Sequence, residues 1–482
     1  MLFSSVTFLG FFFPGLFILY WLLPARGYKN ILLFFASLLF YAWGEPKYVF
    51  LMLFSILFNY SAGLKMSCVI NEKQRKKVLA FSIFINLIIL FIFKYLGFSI
   101  KIIDIFLNAL HIPLLSNINL ILPIGISFYT FQEISYLVDV YRKPELAQKN
   151  FLNLGLYIAF FPQLIAGPIV RYHDINLQIE NRTESIEKIS DGFQRFILGL
   201  SKKVIIANSL ALVCDSIYSA DFYSYGAVAV WIASISYSLQ IYYDFSGYSD
   251  MAIGLAKIFG FELKENFNYP YCSASITEFW KRWHISLTDF FRDYVYIPLG
   301  GNRISKKRTM INRYIVFFLT GLWHGAAFNF IFWGLAHGTV MIFERLSGIN
   351  QKSNKAFKII YRLFTLLIIN FLWIFFRNDI EQSIKLLLKM FGINFRLLTG
   401  SGYQAISKMD LLWFYIDTKF FIILALAVLF SFPWWKKIKI LYKESHETLI
   451  NILKIIISIL LLIICFAFLA NNTYNPFIYF RF

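Results

Sequence analysis

One histidine stands out among the residues that could do chemistry, because it lies between two apolar runs. His324 is part of Gly-Leu-Trp-His-Gly at positions 321–325, after the apolar residues 314–319 and before the aromatic-rich residues 328–333. An ionisable side chain at membrane depth costs roughly a few kcal/mol or more unless it faces a cavity or a partner. His324 is therefore the first hypothesis for a catalytic residue.

The other five histidines differ in their surroundings. His284 ends Trp-Lys-Arg-Trp-His at positions 280–284, so a second catalytic group and a solvated histidine on an amphipathic interfacial helix are both open. His337 follows His324 on a predicted helix, where a helix–helix hydrogen bond is the favoured interpretation. No direct role is expected for the three histidines that lie near polar residues in predicted loops: His111, His173 and His446.

Asp244 is an intramembrane acid candidate in the polar and aromatic run 242–250. A helix cap and a partner for a cation are equally open interpretations of this carboxylate. Motifs of competing chemistries are absent from the sequence, including the Walker loop, the GxSxG elbow and HExxH. The four cysteines are scattered singly without metal-ligand spacing, so no metal site is expected.

Composition predicts an all-α polytopic membrane protein, because 59% of the residues are hydrophobic and only 15% are charged. No long polar segment could fold as a water-soluble domain, so residues 1–482 are predicted to form a single integral membrane domain. About ten to twelve transmembrane helices are expected. The spans predicted most directly from hydropathy are 8–23, 30–43, 48–64, 78–98, 118–141, 314–322, 328–343, 359–376, 413–432 and 449–469.

Basic residues predict the orientation in the membrane. None precedes the first apolar run, which is typical of an uncleaved anchor with its N-terminus outside. Lys202 and Lys203 are expected in a cytoplasmic loop, and the basic run 436–443 places the C-terminus outside. The net charge of +19 is spread over short loops, so nucleic acid is not an expected partner. Membrane lipid headgroups and an anionic cytosolic substrate are both open.

Two apolar stretches, 160–168 and 294–301, contain too many glycines and prolines to be plain spans. Irregular backbone at membrane depth is tolerated only where it is buried in protein or lines a wet cavity. We therefore predict short or re-entrant helices around a central funnel or tunnel that opens to the cytoplasm. Basic residues near the second stretch suit a phosphate-bearing donor such as a nucleotide thioester: Lys281, Arg282, Arg292 and Arg303.

Four motifs resemble the membrane-bound O-acyltransferase family: residues 242–250, 278–287, 296–303 and 321–327. The likeness covers the whole chain and is greatest to the bacterial branch that acetylates envelope polysaccharides. The resemblance implies that His324 is the catalytic histidine and that His284 matches the polar position upstream. It further implies acetyl-CoA as the donor and substrate-binding roles for three motif residues: Asp244, Asn302 and Trp323.

The last eight residues, 475–482, are Asn-Pro-Phe-Ile-Tyr-Phe-Arg-Phe. An aromatic tail after a last span is ordinary interfacial anchoring. The tail also resembles the terminal motif of envelope acylation systems, which implies that Tyr479 carries the acyl group. A thiol has a pKa of about 8.5 and a phenol one near about 10, so an acyl-phenol keeps most of the transfer potential of a thioester. His324 would be the general base, and His284 would orient or polarise the thioester carbonyl.

The resulting expectation is an enzyme that passes acetyl groups from cytoplasmic acetyl-CoA through Tyr479 to an extracytoplasmic partner. That partner would be an esterase-like O-acetyltransferase of the SGNH type. The richness in Ile, Phe, Lys and Asn indicates an AT-rich genome. This bias favours peptidoglycan as the acceptor over alginate or another exopolysaccharide. Two alternatives are an acyltransferase acting on a lipid or lipoprotein, and a transporter or flippase, which the lack of a detectable internal repeat disfavours.

Overall fold

The structure is a computed structural model that describes residues 1–112, 120–220, 225–349, 355–393, 416–434, 447–471 and 475–478. Throughout these ranges the regular elements are helices, and none of the described residues forms a strand. The predicted all-α fold is confirmed. The predictions for His446, Tyr479 and the basic run 436–443 concern residues outside the described ranges.

The α-helices of the first half are α1 (Phe13–Leu22), α2 (Arg26–Ala42), α3 (Tyr48–Cys68), α4 (Glu72–Leu90), α5 (Leu96–Ala109), α6 (Ile126–Arg142), α7 (Phe151–Ala159), α8 (Phe161–Leu164), α9 (Tyr172–Asn181), α10 (Ile186–Ser201) and α11 (Asn208–Ser219). Those of the second half are α12 (Ala227–Ile258), α13 (Ile276–Trp280), α14 (Ile285–Phe291), α15 (Lys306–His324), α16 (Phe328–Ser347), α17 (Lys355–Arg377), α18 (Ile380–Met390), α19 (Thr418–Phe430) and α20 (Glu447–Asn471).

Five described helical segments are long and apolar enough to cross a membrane: Tyr48–Cys68, Glu72–Ala109, Ile186–Ser219, Ala356–Arg377 and Ile450–Asn471. A bilayer core needs about 20 apolar residues in a helix, so the polytopic membrane class is confirmed. The predicted total of about ten to twelve spans stays a prediction.

The segment Ile186–Ser219 corrects one expectation. Lys202 and Lys203 are not in a loop, because a π-helical turn at Lys202–Ala207 joins α10 to α11 within this candidate span. The positive-inside rule counts basic residues without their partners. Here Lys202 pairs with Asp250 and Lys203 with Asp244, and these carboxylates allow the lysines to lie inside the helical segment.

Contacts group the chain into two compact units. Unit 1 consists of Met1–Phe196, Met251–Glu265 and Asp289–Pro298, and unit 2 consists of Ile197–Asp250, Asn266–Thr288 and Leu299–Phe482. The prediction of a single membrane domain over residues 1–482 stays a prediction.

Unit 1 contains a buried polar network beneath its aromatic core. Arg182 donates hydrogen bonds to the Tyr20 hydroxyl and to the Asn30 side chain. Glu184 accepts a hydrogen bond from Tyr20 and pairs with Lys29 at 2.5 Å. Buried charges need partners of this kind, so the network fixes α1 and α2 against the segment that follows α9.

Unit 2 is organised around the hairpin of α15 and α16. The two helices approach closely at glycines: a Cβ on Gly321 would lie 2.3 Å from the Phe330 carbonyl oxygen, and one on Gly334 would lie 2.3 Å from the Phe317 carbonyl oxygen. Any side chain at either position would force the helices apart. The close approach fixes the end of α15, and this end carries His324.

Candidate active site

His324 is the last residue of α15 and lies in a pocket of aromatic rings. Its ring centroid is 4.9 Å from that of Trp323, 5.2 Å from Trp333 and 5.0 Å from Phe376. Its residue is only 7% exposed. A titratable ring between aromatic walls is shielded from bulk water, which strengthens its interactions with any polar group that reaches it.

His284 lies on the turn between α13 and α14 and is completely buried. The amphipathic interfacial helix with a solvated histidine is therefore the wrong interpretation. The backbone of His284 has φ 45°, in the left-handed region that non-glycine residues adopt infrequently. Such a conformation costs about 1–3 kcal/mol and is concentrated at functional sites.

A neighbouring asparagine determines which nitrogen of His284 carries the proton. Asn266 Oδ1 accepts a hydrogen bond from the Ser286 backbone N–H at 3.1 Å, so this atom is the amide oxygen. The same oxygen lies 3.3 Å from His284 Nδ1. Two acceptors cannot share a hydrogen bond, so Nδ1 carries the proton and Nε2 presents a lone pair.

The Nε2 atom of His284 is buried and has no hydrogen-bond partner among the described residues. His284 lies outside the five candidate spans, and burial lowers the pKa of its imidazole to about 3. The ring is therefore neutral near pH 7, and Nε2 can accept a hydrogen bond. A buried polar atom without a partner calls for a functional explanation.

The two histidines are neighbours in the structure. Their ring centroids are 6.5 Å apart, and Trp323 contacts both rings, at 5.9 Å from His284 and 4.9 Å from His324. The two rings are direct neighbours at this separation, so a reacting group that binds beside them would lie within hydrogen-bond reach of both. Forty residues separate them in the sequence, and the structure brings together the two histidines that the motifs selected.

Glu344 holds α13 in place, and the sequence analysis missed it. This completely buried carboxylate accepts hydrogen bonds from the Ile276 and Thr277 backbone N–H groups at 2.7 and 2.9 Å. It also accepts from the Thr277 hydroxyl at 2.6 Å and from the Tyr361 hydroxyl at 3.0 Å. A lone glutamate within the apolar helix α16 was the available signal.

The predicted donor-binding cations have different surroundings. Arg282 pairs with Glu278 at 2.8 Å in unit 2, whereas Arg292 belongs to unit 1 and pairs with Asp289 at 2.7 Å. The other two cations, Lys281 and Arg303, are exposed, and so is Asn302, whose substrate-binding role the resemblance implied. Their roles and the funnel itself stay predictions, as does the substrate-binding role of Trp323.

Asp244 contacts a cation and the C-terminal tail. Its Oδ1 lies 2.5 Å from Lys203 Nζ, and its Oδ2 accepts a hydrogen bond from the Ile478 backbone N–H at 2.9 Å. The interpretation of Asp244 as the partner of a cation is confirmed, and its substrate-binding role stays a prediction. Tyr479 follows Ile478 in the sequence and lies outside the described residues.

A cavity of about 150 Å³ adjoins Ile478. Its lining consists of Tyr237, Asn329, Phe330, Arg377, Asn378, Asp379 and Ile478. Arg377 forms an ion pair with Asp215, and its Nη1 is buried without a hydrogen-bond partner in the part of the chain that the structure describes. The volume is enough for a few water molecules of about 30 Å³ each, or for one small acyl group.

His337 differs from the prediction of a helix–helix hydrogen bond. Its ring is completely buried and lies 5.2 Å from Trp280 and 5.0 Å from Trp333. Neither ring nitrogen has a hydrogen-bond partner within the described ranges. The aromatic neighbours leave only ring packing for this histidine, so the hydrogen-bond prediction is wrong.

Comparisons with known proteins identify the class to which this fold and site belong. Residues 143–377 match the membrane-bound O-acyltransferase family. A probable alginate O-acetylase of Pseudomonas syringae pv. tomato is 42% identical over 380 residues, which cover 79% of this chain and 73% of the relative. A peptidoglycan O-acetyltransferase of Helicobacter pylori is 36% identical over 428 residues, covering 82% and 80%.

A more distant relative is a teichoic acid D-alanyltransferase of Bacillus subtilis, 32% identical over 262 residues that cover 50% of this chain and 62% of the relative. The chain belongs to the membrane-bound O-acyltransferase family. It is accordingly a multi-pass membrane acyltransferase, and the predicted family and enzyme class are confirmed.

Proposed function

We propose that this protein moves acetyl groups from cytoplasmic acetyl-CoA to its own Tyr479, and from there to an extracytoplasmic transferase of the SGNH type. That partner would O-acetylate an envelope polysaccharide outside the bacterial inner membrane. The observation that carries the proposal is the buried pair His284 and His324, with ring centroids 6.5 Å apart in an aromatic pocket. The names of the relatives support the acetyl group and the polysaccharide class.

In the first step, the Tyr479 hydroxyl attacks the thioester carbonyl of acetyl-CoA while His324 takes the phenolic proton as general base. The C–O bond of the acetyl-phenol forms, the C–S bond breaks, and the proton passes to the departing thiolate. The thiol and phenol pKa values, about 8.5 and about 10, make this exchange nearly level in free energy. In the second step, the partner's serine takes the acetyl group and Tyr479 regains its proton.

His284 has a different role from polarising the carbonyl. Its Nδ1 proton is directed at Asn266, and Nε2 therefore accepts hydrogen bonds and does not donate them. An acceptor cannot stabilise a developing oxyanion, but it can bind an amide N–H of the donor's pantetheine arm. On this proposal, His284 orients the thioester so that its carbonyl faces the incoming hydroxyl.

The test is mass spectrometry of the C-terminal peptide after the purified protein is incubated with isotopically labelled acetyl-CoA. The wild type is expected to gain one acetyl group on Tyr479, and His324→Ala to gain none while still inserting in the membrane. Tyr479→Phe keeps the ring and nearly all its interfacial partitioning, so it separates a carrier from an anchor. Cells with Tyr479→Phe are expected to lose polysaccharide acetylation, and normal acetylation in them would refute the carrier role.

The same variants decide between the alternatives. A transporter or flippase needs no acyl-tyrosine and would retain its function in Tyr479→Phe, and a lipid-directed acyltransferase would lose activity only in His324→Ala. The acceptor is decided by measuring O-acetyl groups on muropeptides and on exopolysaccharide from the same cells. Sequence composition favours peptidoglycan, whereas the higher identity of the Pseudomonas relative favours alginate as the second candidate.

A further inference from the structure

The C-terminal tail is held by one buried ion pair in unit 2. Lys203 Nζ lies 2.5 Å from Asp244 Oδ1 and also donates a hydrogen bond to the Pro476 carbonyl oxygen. Asp244 Oδ2 accepts a hydrogen bond from the Ile478 backbone N–H at 2.9 Å. The two charged groups therefore bind two backbone groups of the tail, one acceptor and one donor.

Burial makes these contacts mutually dependent. The Lys203 and Asp244 side chains are only 3% and 2% exposed, and charges removed from water are stable only when their remaining hydrogen-bonding capacity is also satisfied. The tail carbonyl and N–H supply part of that capacity. Loss of the tail contacts would therefore destabilise the ion pair, and loss of the ion pair would weaken binding of the tail.

Side chains on the same elements fix the position of the tail along its length. Asn208 donates a hydrogen bond to the Asn475 side chain at 3.0 Å. Phe477 stacks on Tyr248 with ring centroids 4.9 Å apart, and Lys203 Nζ lies 5.5 Å from the Phe477 ring. Together with the backbone contacts, these interactions reach each of the four described tail residues, 475–478.

We propose that Lys203 and Asp244 form a clamp that positions the acyl-carrying tail. They are positioning residues and act through the backbone immediately before Tyr479. Ile478 is covalently bonded to the proposed acyl carrier, and holding a reacting group in position is what makes attack on a bound thioester efficient. The clamp is inferred from contacts of residues 475–478, and its role in transfer rests on the proposed function of Tyr479.

The elements that carry the clamp fit this role. Lys203 belongs to the π-helical turn at Lys202–Ala207, and Asp244 lies within α12. A π-helical turn inside a longer helix is uncommon and occurs frequently at functional sites. A regular α-helix through these residues would turn Lys203 to a different direction, so the irregular turn is what aims its amine at Asp244 and Pro476.

A charge exchange distinguishes a clamp from an ion pair that only stabilises the fold. In the double variant Lys203→Asp with Asp244→Lys, opposite charges still face each other. However, a carboxylate would then face the Pro476 carbonyl oxygen, and an ammonium would face the Ile478 N–H. The exchanged pair is expected to keep the ion pair but to lose tail binding, because both contacts to the tail would join groups of like polarity.

The experiment uses the full-length protein in detergent and a broad-specificity carboxypeptidase, with the released residues followed by mass spectrometry. In the wild type, trimming is expected to stop before Ile478. In Asp244→Asn, loss of a charge-assisted hydrogen bond is expected to speed the removal of Ile478 by about tenfold to a hundredfold. Lys202→Gln is the matched control, because it removes the ion pair with Asp250 from the same turn and should leave trimming unchanged.

Acetylation of Tyr479 and binding of acetyl-CoA are measured on the same proteins. Asp244→Asn and the exchanged pair are expected to lose acetylation by a similar factor, and the binding measurement separates loss of the clamp from loss of the predicted substrate-binding role of Asp244. If Asp244→Asn does not fold, Asn208→Ala tests the same segment through its contact with Asn475.

Equal trimming in the wild type and Asp244→Asn would overturn the clamp, and so would restored protection in the exchanged pair. A wild-type chain that never gains acetyl on Tyr479 would refute the carrier role alone, since trimming decides the clamp independently.

Discussion

Replacing Asn266 by alanine is expected to slow acetyl transfer without removing either histidine. Asn266 Oδ1 accepts hydrogen bonds from the Ser286 N–H at 3.1 Å and from its hydroxyl at 2.9 Å, and it lies 3.3 Å from His284 Nδ1. The substitution leaves three buried donors without this acceptor. It also frees His284 to place its proton on Nε2, where the lone pair is needed.

The size of the effect follows from these contacts. The Ser286 hydroxyl can rotate to another acceptor, so two donors, a backbone N–H and an imidazole N–H, lose their partner. Each buried donor left unpaired costs about 1–3 kcal/mol, so the two together lower the free energy of unfolding by about 2–6 kcal/mol. Loss of the hydrogen-bond partner of a metal-bound histidine typically reduces activity by about 10- to 100-fold, and we expect a reduction of the same order for His284.

Single-turnover transfer from labelled acetyl-CoA measures the rate, and thermal unfolding in detergent measures the stability. Asn268→Ala is the control. The backbone N–H of Asn268 donates a hydrogen bond to the Arg282 carbonyl oxygen, and the substitution does not remove this bond. The reasoning would be refuted if Asn266→Ala transferred acetyl at the wild-type rate, or if Asn268→Ala were equally slow.

Asn266→Asp tests the same contact by its pH dependence. A carboxylate still accepts the three hydrogen bonds, but it favours the charged imidazolium and so raises the pKa of His284. In the wild type, burial holds that pKa at about 3, so His284 stays neutral above about pH 4. In the variant, His284 is expected to be protonated below the raised pKa, so transfer falls with decreasing pH and recovers as the pH rises. Parallel pH profiles would contradict this tautomer assignment.

Three further variants probe the surroundings of the site. Glu344→Ala leaves two backbone N–H groups and one hydroxyl of α13, together with the Tyr361 hydroxyl of α17, without their acceptor; the two backbone groups alone predict a loss of about 2–6 kcal/mol in stability, and an unchanged melting temperature would contradict it. His337→Phe replaces one buried ring by another and should change stability by less than about 1.5 kcal/mol, with transfer retained. Arg282→Ala breaks a partly exposed ion pair worth about 0–1 kcal/mol, so a raised KM for acetyl-CoA without lower stability would indicate donor binding.

The class of the fold could be predicted, and His324 could be selected as a candidate, because both signals are local. Composition alone distinguishes a membrane protein from a soluble one. His324 could be selected because apolar residues flank it on both sides along the chain. In each case the physical cause is the free-energy cost of burying polar groups in an apolar medium. This cost restricts which residues can be neighbours along the chain, so a short stretch of sequence is enough to show it.

The partners of these residues could not be predicted, since they come from distant positions. Asn266 is 18 residues before His284, and Ile478 is 234 residues after Asp244. Lys203 shows the same limit, because a lysine in isolation predicts a cytoplasmic loop and only its carboxylate partner explains its burial. The left-handed backbone of His284 was also hidden, as it depends on how α13 and α14 join.

On the proposed mechanism, the aromatic surroundings of His324 and an acceptor on the same chain solve the same chemical difficulty. A thioester beside a general base is hydrolysed whenever water reaches it, so the base must be reachable by the acceptor and shielded from solvent. The rings of Trp323, Trp333 and Phe376 provide the shield around His324. An acceptor on the same chain has an effective concentration set by its tether, which can reach millimolar values or more. On the proposed mechanism, the clamp raises that concentration further by fixing Ile478. The tyrosine then reacts faster than water because it is held near the thioester, and it does not need to be a stronger nucleophile.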